Sequence, residues 1–158
     1  MTSYRILIFL HVTAVIVGLG VTFVYPFLQA FSEKRGVGAV RLSLQFGKWL
    51  EDHVVWPGAA LVLLFGIGLI FSDQTGYKDD MPAWLSAALV IYILALVVAW
   101  FVQRRNVKNA LAALEGVADD APLPAAYVAV GKKLQMVGGT LGLAIVVITF
   151  LMTYKPGA

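Results

Sequence analysis

The sequence has no cysteine, only two histidines, and little charge, with 13% of its 158 residues being Asp, Glu, Lys or Arg. Without thiols there are no disulfides, no thiolate-held iron–sulfur clusters and no cysteine zinc sites, and the compartment is left open. There is no HExxH, no GxSxG, no phosphate loop and no pair of carboxylates at matching membrane depth, so no familiar catalytic constellation can be assembled. The net charge of +3 is scattered rather than gathered with aromatics into a patch, so nucleic acid is not an expected partner.

What the sequence has instead is apolar length. At 60% apolar residues and a mean hydropathy of +0.84, it lies far outside the range of soluble domains of this size. Four runs stand out: Ile6 to Phe31, Val54 to Phe71, Trp84 to Val102 and Leu134 to Tyr154. Each approaches the ~20 residues that cross a ~30 Å hydrocarbon core. The alternation of a barrel strand is missing, so the expected fold is an all-α, four-helix transmembrane bundle in one integral membrane domain, residues 1–158. The first run follows Arg5 in the manner of a signal sequence, but it is about twice the length of an h-region and lacks a convincing small-x-small cleavage site. It is expected to be retained.

Charge sets the orientation. Lys34, Arg35, Arg41 and Lys48 follow the first run, and Arg104, Arg105, Lys108, Lys132 and Lys133 follow the third, while the other side holds only Arg5, Lys78 and Lys155. Under the positive-inside rule both termini are periplasmic in a bacterial inner membrane. In the first connection Leu42, Phe46, Trp49 and His53 share one helical face beside Arg41, Gln45, Lys48 and Asp52. This predicts an amphipathic extension beginning near Val40, with Pro57 bending the helix where it enters the apolar stretch. The third helix is expected to continue to Gly116, and a loop from Ala118 to Pro124 leads to the last.

Two sets of small residues mark helix contacts. Ala14, Gly18 and Thr22 follow His11 on one face of the first helix. Gly131, Gly138 and Gly142 share a face of the last, the latter two as GxxxG. Such faces admit close packing within the bundle, against other membrane subunits or in a homo-oligomer.

His11 is the one ionisable group other than tyrosine well inside a span, which makes it a candidate by default. Its alternative is a structural hydrogen bond to a neighbouring helix backbone, to Thr140 or to Thr149. His11 and His53 lie roughly 20 Å or more apart along the membrane normal, too far to share one iron. Met152 lies at a depth comparable with His11, so a His11/Met152 axial pair on a haem b is geometrically permitted. Glu51, Asp52 and His53 cluster at headgroup level, where a proton could be exchanged, although a solvated helix entry has the same composition.

Three stretches carry a resemblance: Leu10-His11-Val12, Trp56-Pro57-Gly58 running to Phe65-Gly66-Ile67-Gly68-Leu69, and Met152-Thr153-Tyr154-Lys155-Pro156. Over nearly its whole length the chain resembles a bacterial family of predicted four-helix integral membrane proteins of unknown function. More distantly it is similar to HemJ-type protoporphyrinogen oxidases and the CopD-type membrane domain, which share the first-helix Leu-His, the Pro-led second helix and the Lys-Pro ending. The HemJ resemblance implies a first-helix histidine acting with a lysine early in the third helix. Here Trp84-Leu85-Ser86-Ala87-Ala88-Leu89 has neither lysine nor histidine, so only His11 carries over. The leading expectation is a non-catalytic accessory subunit packed against other membrane proteins. The alternatives are a b-type haem protein, redox or porphyrin-related, using His11, and a small transporter or proton path.

Overall fold

The computed structural model describes residues 2–157, and its regular structure is helical. Four helices are long and apolar enough to span a membrane: α1 (Ser3–Glu33), α2 (Val37–Ile70), α3 (Ala83–Ala112) and α4 (Ala125–Tyr154). At ~1.5 Å per residue all four exceed the thickness of the hydrocarbon core. Their surplus length lies at the end carrying most of the lysine and arginine.

The largest apolar side chains point outward. Phe9, Phe27, Leu64, Leu94, Phe101 and Phe150 are exposed, while the contacts between helices are made by Ala14, Gly18, Ala59 and Ala88. Lipid supplies an apolar surround, so large residues gain nothing by turning inward, and small residues let backbones approach.

The helices form two pairs. α1 packs along α2 and α3 along α4, and the pairs meet chiefly at the charged end. There Val37, Val40 and Leu44 of α2 close over Ala110 of α3, Leu114, and Tyr127 and Leu134 of α4. Arg41 ties the α3–α4 connection to this core, pairing with Asp119 and donating to the carbonyls of Leu114 at 2.9 Å and Val117 at 2.7 Å. Gly116, at φ +72°, takes the left-handed turn that reverses the chain after α3. A second, smaller cluster of Ala14, Ala59, Val62 and Tyr92 joins the pairs near mid-membrane.

Two helix starts fall earlier than the apolar pattern alone suggests. α2 begins at Val37 rather than near Val40, because Val37 is itself fully buried in the charged-end core. α4 begins at Ala125, nine residues before the apolar run that opens at Leu134, because Tyr127, Gly131 and Leu134 bury one stripe against that core. The irregularity expected at Pro57 takes the form of a π-helical turn at Glu51–Val55, just before it. Proline lacks an N–H and its ring crowds the carbonyl four residues back, and a wider turn relieves both. Similar π turns occur at Val15–Leu19 in α1 and Ala99–Gln103 in α3.

Candidate functional site

His11 sits half-buried on the α2-facing side of α1, with its Nδ1 3.0 Å from the carbonyl oxygen of Val62. A carbonyl only accepts, so Nδ1 carries the proton and Nε2 keeps its lone pair. Of the structural partners expected for His11, the neighbouring helix backbone is the one it bonds, and neither threonine takes part. Thr140 donates to the Met136 carbonyl at 3.0 Å, and Thr149 to the Ile145 carbonyl at 2.8 Å. Gly66 makes room for the ring, since a Cβ there would stand 3.2 Å from His11 Cε1.

The small-residue stripe turns towards α2 as well. A Cβ on Gly18 would lie 2.6 Å from the Cα of Gly58, and one on Gly58 would lie 2.4 Å from the Cα of Gly18. Backbone meets backbone here, and only glycine at both positions permits it. Ala14 is buried above this contact, and Thr22 donates to the Leu19 carbonyl at 2.6 Å.

Where the two pairs diverge, at the end away from the charged core, they border a partly open cavity of about 470 Å³, the outer of two, which His11 lines together with Trp84, Met152, Thr153 and Lys155. Its wall is otherwise mostly aliphatic. Trp84 is 5% exposed, and its indole N–H has no hydrogen-bond partner among the described residues. An unsatisfied buried donor costs about 1–3 kcal/mol, so it calls for an acceptor. The Lys155 ammonium stands 5.6 Å from the centre of the Trp84 ring, at the outer end of the cavity. The third-helix stretch that has neither lysine nor histidine thus brings a tryptophan to the cavity His11 lines.

The side chains of Glu51, Asp52 and His53 have different partners. Glu51 accepts from the Trp56 indole N–H at 3.2 Å. Asp52 bridges the helix pairs, pairing with Lys48 and with Arg104, each at 2.7 Å. His53 is exposed, stacked on Trp49 at 4.8 Å and hydrogen-bonded to the Trp49 carbonyl at 2.9 Å. Gly131 faces Gln29, Glu33 and Tyr127, whereas Gly138 faces Gln103 and Gly142 faces Phe23, all through side chains. No group of three or more His, Asp or Glu residues able to hold a bare metal ion occurs among the described residues.

Residues 5–156 match the family model described as a predicted integral membrane protein, DUF2269. The chain belongs to DUF2269. No curated protein and no solved structure matches it. The family description supports an integral membrane protein and assigns no activity, so the chemistry of this DUF2269 chain rests on its own residues.

A haem-type group can be tested against the outer cavity by its donor set. Haem needs a ligand with a free lone pair, an apolar surround and partners for its carboxylates. His11 Nε2, the aliphatic wall, and the Trp84 N–H with the Lys155 ammonium answer these needs in turn. Met152 lines the same cavity and adds a thioether. The residues present therefore fit such a group.

Proposed function

We propose that this DUF2269 protein is an inner-membrane b-type haem protein that holds the group in its outer cavity through His11. The observation that carries the reading is that His11, fixed by its Nδ1–H bond to the Val62 carbonyl, lines the same cavity as the unpartnered Trp84 indole N–H and the Lys155 ammonium. Metal-bound histidines characteristically donate their second ring nitrogen to a carbonyl or carboxylate, which fixes the tautomer and makes the ligating nitrogen more basic. A histidine that served only to join two helices would not need an unpartnered indole N–H and a cation beside the same cavity.

Held there, haem supplies one-electron transfer. Val62 orients the imidazole, Gly66 leaves space for its ring, and Trp84 and Lys155 would hold the carboxylates. Met152, which lines the same cavity, would offer a thioether as a further ligand. Charge asymmetry supports an orientation in which this cavity lies towards the periplasm. This reading replaces the purely accessory role, since packing alone gives no use to the unmatched donor and lone pair. We prefer it also to the proton path, for which the separate partners of Glu51, Asp52 and His53 give less support.

The test is the absorption spectrum of the full chain, purified after expression with haem precursor. The reading requires a Soret band in the wild-type protein, absent from His11→Ala, while the fold persists with a loss of about 1 kcal/mol, as membrane hydrogen bonds contribute little. A wild-type protein that stays colourless after reconstitution with haem would overturn the proposal.

A further inference from the structure

A second cavity, of about 180 Å³, lies on the charged side of the first and is lined by all four helices. Leu19, Tyr92, Ile145 and Ile148 border both cavities, and the Tyr92 hydroxyl donates to the Ala59 carbonyl at 2.7 Å between them. All three π turns contribute to its wall, through Leu19, through Glu51 and Val55, and through Ala99 and Gln103. Turns of this kind concentrate at functional sites because they re-aim side chains out of register.

The hydrogen-bond pattern of this wall is one-sided. Each hydroxyl along it gives its proton to a backbone carbonyl: Thr22 to Leu19 at 2.6 Å, Tyr25 to Gly47 at 3.3 Å, Ser43 to Val40 at 2.9 Å, and Tyr92 to Ala59. The Trp56 N–H is given to Glu51, the Lys48 ammonium to Asp52, and the Gln29 amide to Glu33 and Tyr127. Gln103 donates its amide to the Leu134 carbonyl at 3.3 Å, which leaves its Oε1 buried with no partner among the described residues. An acceptor is left over, and the wall's other donors are taken apart from those of Gln135 and Lys48, whose side chains are exposed. A buried carbonyl oxygen without a donor is costly, so an occupant that fits must bring a donor, and a hydroxyl is the donor that neutral molecules of the bilayer commonly carry.

The rest of the wall is apolar, and α4 contributes glycine to it. A Cβ on Gly138 would reach only the Gln103 side chain, at 3.4 Å, and one on Gly142 only the Phe23 ring, at 3.9 Å. The GxxxG pair therefore does not bring two backbones together within the bundle. It leaves open space beside the unmatched acceptor.

We infer that the inner cavity binds an apolar molecule drawn from the bilayer that ends in a hydroxyl, with that hydroxyl donating to Gln103 Oε1. An isoprenoid quinol and a diacylglycerol share this chemistry. The experiment titrates the detergent-purified full chain, under reducing conditions, with a decyl-substituted benzoquinol and with dioctanoylglycerol, each compared with its O-methylated form. At least one hydroxyl compound should bind, with its ether weaker by about tenfold, the effect of one lost hydrogen bond to a buried acceptor. Whichever compound shows the difference names the source. Gln103→Leu should abolish the difference, and Gly142→Leu should abolish binding by filling the space. Ethers that bind as tightly as their parent compounds would overturn the inference, as would failure of both parents to bind the wild-type chain. The ether comparison uses wild-type protein and does not depend on any variant folding.

Discussion

At the scale of single residues, the decisive contacts are those in which an absent atom matters. Gly18 and Gly58 touch backbone to backbone, and a methyl group at Gly58 would fall 2.4 Å from the Cα of Gly18. Gly58→Ala should therefore destabilise the protein by about 1–3 kcal/mol, the usual effect of overpacking. Gly20→Ala, whose Cβ would meet nothing within 4 Å, should be neutral or slightly stabilising. Thermal unfolding of the two variants in the same detergent gives the comparison, and equal midpoints would refute it. The sequence marks Gly18 through its spacing from His11, but nothing in it points to Gly58, because no periodicity connects residues on different helices. A neighbouring helix backbone was an expected partner for His11, but which residue supplies it was equally hidden. Val62 offers a main-chain carbonyl, which any residue type could supply. Trp84 reads from sequence as a belt tryptophan beside a helix start, and its burial comes from the neighbouring helices.

At the scale of helices, apolar length identified all four, since lipid imposes a nearly fixed minimum on a span. Their extra turns follow a different rule. Tyr127, Gly131 and Leu134, at steps of four and three, form the stripe that starts α4 early, a helical signal hidden among lysines. The π turns were not legible, except that Pro57 marks one of them. Between the pairs, Tyr92 makes the mid-membrane link from α3 to α2 through its 2.7 Å bond to the Ala59 carbonyl. Tyr92→Phe keeps the ring and removes only this bond. It should lower stability by about 0.5–1.5 kcal/mol, near the low end if the carbonyl keeps its bond within α2. Chemical or thermal unfolding measures this, and a loss well above that range would mean that the ring as well as the hydroxyl holds the pairs in register.

At the scale of the whole molecule, two helix pairs fastened at one end leave interior space at the other, and which side of the membrane each end faces decides what can reach it. Nine lysines and arginines on two connections stand against three on the opposite side, and in a bilayer that asymmetry selects orientation. The expected topology puts the α2–α3 loop, His11, Trp84 and Lys155 on the periplasmic half, and the Arg41–Asp119 tie in the cytoplasm. A cysteine-free chain makes the test direct, because a single introduced thiol is the only one present. Asp79 and Asp120 are both exposed and lie on opposite ends, unlike Ser32, which is 3% exposed and would react poorly from either side. Asp79→Cys should be labelled by a membrane-impermeant maleimide in spheroplasts, and Asp120→Cys only after lysis. The reverse pattern would turn the molecule over, leaving the His11 cavity open towards the cytoplasm and exposing the basic collar to the periplasm.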